Sequence, residues 1–169
     1  MIIFFSGVII AFFLFGHQYN ITRIPTIGSP APDIELIDFN DNKLRLSDMK
    51  GSVVFVNFWA TWCESCVDEL PSIEGLFRSM SNNPKFKLIT ILYKDDGYRA
   101  FSYMKGNGYT FPLYKNPDGS AAKKFGITGV PETFIIDKKG ILRDKVTGPA
   151  EWDSLHAVET FHKLINESY

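Results

Sequence analysis

The sequence has little cysteine, little histidine and no surplus of charge. Two cysteines in 169 residues cannot build a disulfide scaffold or a four-cysteine zinc site. Three scattered histidines are poor candidates to complete a tetrahedral metal shell around those two thiols. Lys and Arg together number 18 against 19 Asp and Glu, a net charge of −1, which leaves no excess of cation to displace phosphate counterions and excludes a nucleic-acid binder. No internal repeat or low-complexity tract interrupts the chain. With 45% apolar residues and 22% charged, the chain is not disordered, and its length suits one domain with a real core.

Charge is also missing locally. Residues 1–16 (MIIFFSGVIIAFFLFG) hold no Lys, Arg, Asp or Glu and five of the 15 Phe. As a helix this run spans roughly 24 Å, short of a ~30 Å hydrocarbon core, so it reads as a short membrane anchor helped by its flanks or as the apolar part of a signal peptide. No small-x-small cleavage motif is clear after Phe15, which favours an uncleaved anchor. Residues 17–27 are a polar, Pro-containing tether, and residues 28–169 the globular domain.

Along that domain, residues 33–38 and 43–46 flank Asn40-Asp41-Asn42 as a short hairpin, and a capped turn follows at 46–51. Residues 53–58 (VVFVNF) form a near-continuous apolar, β-rich run, the pattern of a strand buried on both faces. Residues 63–80 have helical spacing, with Leu70, Ile73, Leu76, Phe77 and Met80 on the core side. A strand at 86–93, a helix at 97–106, a short strand at 111–114 and a short helix at 118–125 come next. Residues 133–137 and 141–147 flank Lys138-Lys139-Gly140, a hairpin signal, and an amphipathic helix at 152–165 closes the chain. This order predicts an α/β fold: a central mixed sheet with helices on both faces.

The chemistry lies in Val56-Asn57-Phe58-Trp59-Ala60-Thr61-Trp62-Cys63-Glu64-Ser65-Cys66, which puts Cys-x-x-Cys where a buried strand hands over to a helix. A thiolate at a helix N-terminus faces unsatisfied N–H groups and the positive end of the dipole, so its pKa falls. Two intervening residues keep both sulfurs within disulfide reach on one turn, so Cys63 can attack a disulfide and Cys66 can resolve the mixed intermediate. The same spacing also suits half of a metal site, but no second pair of cysteines exists.

Trp59-Ala60-x-Trp62-Cys63-x-x-Cys66 resembles the thioredoxin active site. The longer pattern, Gly28-Ser29-Pro30-Ala31-Pro32-Asp33 through Leu46-Ser47-Asp48 to Val54-Phe55-Val56-Asn57-Phe58-Trp59, is similar to the TlpA/ResA/DsbE branch of thioredoxin-fold proteins. These are membrane-anchored, extracytoplasmic thiol–disulfide reductases, several serving cytochrome c maturation. The resemblance spans nearly all of residues 28–169. It implies a thioredoxin-like fold with an N-terminal β-hairpin and an inserted segment at 94–118 that helps shape the substrate face. It also implies a redox-active disulfide without a bound cofactor, a disulfide-bearing protein substrate such as apocytochrome c, and a thioredoxin-like or membrane electron donor.

Residue by residue, Pro71 matches the proline that kinks the active-site helix, and Val130-Pro131 the cis-proline pair that lines the substrate groove. Glu69, one turn after Cys66, is on residue type alone a first-turns acid that favours the helix dipole; the resemblance makes it the proton acceptor for Cys66. Asn57 stands where ordinary thioredoxins bury an Asp. Glu132, in Pro-Glu-Thr, is either a solvated strand-end acid or, by resemblance, a groove residue. Trp62 is either a core ring or a partner contact. Two residues depart from the pattern: Ser65 replaces a Pro, and Glu64 places negative charge beside Cys63, opposing thiolate formation unless it points to solvent. His156 and His162 are expected on the surface.

Two other functions compete. The Pro30-Ala31-Pro32-Asp33 opening also looks like a peroxiredoxin, but the Pro and Thr slots before a peroxidatic cysteine are unfilled. A copper chaperone would space its cysteines by three residues and add a downstream His; here two residues intervene and no His stands near Pro131.

Overall fold

The computed structural model describes residues 24–168, so the anchor expected at 1–16 lies outside the described residues. Within them no helix is long and apolar enough to cross a membrane.

The order of elements is β1 (Glu35–Ile37), β2 (Lys43–Arg45), a 3-10 turn (Leu46–Met49), β3 (Val53–Trp59), α1 (Glu64–Met80) and β4 (Phe86–Leu92). Then come α2 (Gly97–Asn107), β5 (Leu113–Tyr114), α3 (Ser120–Phe125), β6 (Glu132–Ile136), β7 (Leu142–Thr147) and α4 (Leu155–Asn166). The central sheet has the strand order β5-β4-β3-β6-β7, with β1 and β2 in a hairpin of their own. β3, β4 and β5 run parallel, and β6 and β7 are antiparallel additions. The expected mixed sheet is therefore present.

β3 is the middle strand, and all seven of its residues are buried. Its alternation divides the interior into two layers. Val53, Phe55 and Trp59 join Leu70, Ile73, Leu76 and Met80 of α1 and Phe161 and Leu164 of α4. Val54, Val56 and Phe58 meet Phe125 of α3, Phe134 of β6 and Leu36 of the hairpin. A strand with packed layers on both sides has no solvated face to mark with polar residues, hence its continuous apolar run.

Several boundaries move from their predicted positions, three of them for a clear local reason. α4 begins at Leu155 because the Ser154 side chain accepts the Ala157 N–H at 3.3 Å as the N-cap, leaving Trp152 in the preceding turn. α3 begins at Ser120 because the Asp118 carboxylate accepts the Ser120 N–H at 3.0 Å and closes a turn ahead of it. β5 is confined to Leu113–Tyr114 because Pro112 has no N–H to give to the ladder.

Candidate active site

β3 delivers the chain to the site. Past its end, the Trp59 carbonyl still accepts the Tyr93 N–H at 2.9 Å, and the next residues turn into α1. Cys63 is the N-cap of that helix, and its sulfur accepts the Cys66 N–H at 3.2 Å. The two cysteines are joined in a disulfide with Cα atoms 5.2 Å apart. Cys63 is 8% exposed and Cys66 wholly buried, so Cys63 is the sulfur a partner can reach. Once reduced, a Cys63 thiolate would keep the Cys66 N–H and the positive end of α1 against its charge.

The two departures between the cysteines now have positions. The Ser65 hydroxyl lies 3.5 Å from Cys63 Sγ, where a thioredoxin proline would offer no donor. Glu64 is exposed to solvent, the condition under which its charge leaves the thiolate undisturbed.

Opposite Cys63 stands the loop that ends in β6. The Val130–Pro131 peptide is cis, and the Val130 carbonyl oxygen is 3.4 Å from Cys63 Sγ. Trp62 is 55% exposed, with its indole N–H donating to the Lys94 carbonyl at 3.1 Å; it is no core ring. Glu132 is not a solvated strand-end acid. It is buried, its Oε2 lies 2.8 Å from the Lys145 ammonium, and its Oε1 accepts the Thr128 N–H at 3.4 Å. In β6 it pairs with Phe58, so it belongs to the sheet face opposite Asn57. The two helix histidines are exposed, as expected.

Glu69 is buried one turn along α1 from Cys66. Its Oε1 accepts the Asn57 amide at 2.8 Å, and its Oε2 accepts the Trp152 indole N–H at 3.1 Å and the Ala150 N–H at 3.2 Å. Burial pushes its carboxyl above the usual range; the bonds from Asn57, Trp152 and Ala150 pull the other way and do not cancel it. Oε2 takes two donors and Oε1 one, which leaves Oε1 the atom freer to accept a proton. Asn57 also donates to the Thr133 hydroxyl at 2.9 Å, a contact set by the β3–β6 register that pairs Asn57 with Thr133. Asn57 Oδ1 is buried without a hydrogen-bond partner.

Sequence reasoning did not find Trp152, Thr133 or Ser72. Ser72 Oγ lies 2.9 Å from the Glu69 carbonyl and 3.1 Å from the Ala150 carbonyl and accepts the Trp152 N–H at 3.2 Å, holding the 150–152 turn on α1. The contacts of Trp152 with Glu69, of Thr133 with Asn57 and of Ser72 with the 150–152 turn join residues more than 70 positions apart and carry no local signal. Among the described residues no group of three or more His, Cys, Asp or Glu could hold a metal ion.

Residues 27–145 match the model of the AhpC/TSA family. The thiol:disulfide interchange protein DsbE of Pseudomonas aeruginosa is 35% identical over 147 residues, covering 83% of this chain and 78% of that protein. The thiol–disulfide oxidoreductase ResA of Bacillus subtilis is 30% identical over 129 residues, covering 76% and 72%. The crystal structure of the exposed lipoprotein thioredoxin of Streptococcus pneumoniae superposes with a TM-score of 0.66 at 27% identity, over 79% of this chain and 100% of that one.

Proposed function

This chain belongs to the AhpC/TSA family, alongside relatives named DsbE and ResA, and on that premise we propose that it is a thiol–disulfide oxidoreductase that reduces disulfides in partner proteins. The observation that carries the reading is the disulfide itself: one accessible and one buried sulfur on the first turn of α1, with a buried carboxyl one turn further on.

The reaction runs as two displacements. The Cys63 thiolate attacks a sulfur of the partner disulfide; a Cys63–partner bond forms, the partner S–S bond breaks, and the released partner thiolate takes a proton from solvent. Glu69 then accepts the Cys66 proton, and the Cys66 thiolate attacks Cys63 Sγ. The Cys63–Cys66 bond closes, and the second partner sulfur leaves and is protonated in turn. Two electrons and two protons pass to the partner with no bound cofactor. A raised carboxyl pKa suits this role, because proton affinities that lie closer together make transfer from a thiol less uphill.

The docking edge comprises Trp62 on one side of Cys63 and Val130 with Pro131 on the other; Glu132 supports the second side from beneath through Thr128. Such a protein works where disulfides persist, and we place it on the extracytoplasmic side of the membrane, in the cell envelope, tethered by residues 1–16. The name of the pneumococcal relative, an exposed lipoprotein, supports that placement. Candidate substrates are cysteine pairs of the apocytochrome c kind, with a thioredoxin-like or membrane donor restoring the dithiol; no nucleic acid takes part. The unfilled Pro and Thr slots before Cys63 disfavour the peroxidase alternative, and the two-residue spacing with no His near Pro131 disfavours the copper carrier.

The test is the midpoint potential of the Cys63–Cys66 couple. A reductase should show about −230 mV or lower, whereas a value near about −120 mV would make the protein an oxidant and overturn the direction proposed.

A further inference from the structure

The turn Lys94-Asp95-Asp96 takes no part in the displacements above, yet it is bonded to the active-site turn. The Thr61 N–H donates to Asp95 Oδ2 at 2.5 Å, and the Trp62 indole N–H donates to the Lys94 carbonyl at 3.1 Å. Just before them, the Tyr93 N–H donates to the Trp59 carbonyl at 2.9 Å. Lys94 has φ of 49°, the left-handed region that a side chain with a Cβ enters only when its surroundings over-determine it.

Asp95 is the keystone of this arrangement. Its side chain is 0% exposed, and its Oδ1 pairs with the Arg99 guanidinium and accepts the Asp96 N–H at 2.7 Å. A carboxylate is buried at a cost unless it is fully partnered, and this one has a partner on each oxygen. Burial alone would raise its pKa, but the bonds from Arg99, Thr61 and Asp96 outweigh it and hold the carboxyl below the usual range. Asp95 does not cap α2, because Asp96 accepts the Arg99 N–H at 2.8 Å as the N-cap. What Asp95 adds is a grip on Thr61, the residue before Trp62.

Trp62 is the one tryptophan in the open: Trp59 is 0% and Trp152 4% exposed, against 55% for Trp62. An exposed indole normally samples several rotamers and must lose that freedom when a partner docks on it. Here both its own N–H and the backbone before it are fastened to the 94–96 turn. We propose that Asp95, clamped by Arg99, is a positioning residue that holds Trp62 as a preformed platform for a disulfide-bearing polypeptide. It sets affinity for protein partners and leaves the chemistry at the sulfurs alone. This rests on Trp62 belonging to the docking edge.

The experiment compares the full chain with Asp95→Ala, Asp95→Asn and Trp62→Ala in the reduction of insulin and of hydroxyethyl disulfide, a substrate too small to span the platform. Asp95→Ala should raise KM for insulin about fivefold while kcat stays within about twofold. Its rate with hydroxyethyl disulfide and its Cys63–Cys66 midpoint potential should stay at the wild-type values. The Trp62 indole N–H resonance should lose its protection from hydrogen exchange. Asp95→Asn keeps an oxygen for the Thr61 N–H but not the charge facing Arg99, so it should show a smaller rise, and it serves as the reading if Asp95→Ala does not fold. Equal losses with both substrates, or a freed indole with insulin KM unchanged, would overturn the proposal. If Trp62→Ala leaves insulin KM unchanged, the docking edge itself is wrong. If Trp62→Ala raises KM while the Asp95 variants do not, only the role of Asp95 falls.

Discussion

Glu69 is the side chain at which stability and the proposed proton step meet. Its carboxyl is held above the ordinary value, so the native state binds that proton more tightly than the unfolded chain does. Between the two pKa values, stability therefore falls as pH rises; the full penalty applies above the native pKa and vanishes below the unfolded one. The thermal midpoint of Glu69→Gln relative to wild type should accordingly rise between about pH 4 and neutral pH. To accept the new side-chain N–H, Asn57 must reverse its amide and turn its N–H groups toward the buried spot its Oδ1 now occupies without a partner, a pH-independent cost that leaves this trend intact. The same variant should resolve a Cys63 mixed disulfide about 10²-fold more slowly while attacking at Cys63 at the normal rate, which stopped-flow reduction with single turnover separates. Unchanged resolution would remove Glu69 from the proton step.

Among the elements, α1 does the most. It begins with the reactive pair, carries Glu69 one turn later and continues past Pro71 to Glu74. Pro71 lacks the N–H that would reach the Val67 carbonyl, so the helix is free to bend between its catalytic turn and its packing turns. Glu74 then ties α1 to the segment leading into β5. Its carboxylate accepts the Thr110 N–H and hydroxyl, each at 2.7 Å, and the Phe111 N–H at 3.2 Å, with Arg78 Nε at 2.5 Å. Glu74→Ala would strand these donors, at a cost of about 2–3 kcal/mol. The expected drop in thermal midpoint is about 5–10 °C, with the Cys63–Cys66 potential unchanged. A changed potential would mean that this brace reaches the site.

For the whole molecule, the question is whether the domain can open its disulfide and stay folded, as a carrier of reducing equivalents must. The bridge spans a sequence separation of only 3, so by loop-closure entropy it contributes about 2 kcal/mol or less. The two packed layers on β3 do not depend on it. The reduced protein should therefore keep its far-ultraviolet circular dichroism and lose only a few degrees of thermal midpoint. Loss of the folded signal on reduction would show that the disulfide is structural and not a redox couple.

Much of this was legible in the sequence, and the division follows a physical line. The run at residues 53–58, the helical spacing after Cys63 and the Lys138-Lys139-Gly140 turn are local patterns, because burial on both faces, one-sided burial and hairpin closure each act over a few residues. The Cys63–Cys66 pair was equally legible, since its reach depends only on two intervening residues and a helix start. Family resemblance added the cis peptide before Pro131 and the part given to Glu69. The tertiary structure alone decided what surrounds these groups. Strand register set Asn57 against Thr133 and turned Glu132 to the other face toward Lys145. Chain return set Trp152 on Glu69, and a turn more than 30 residues along the chain set Asp95 beneath Thr61. Such contacts join distant segments through single hydrogen bonds, which impose no periodicity on the sequence and become visible only once the backbone has brought them together.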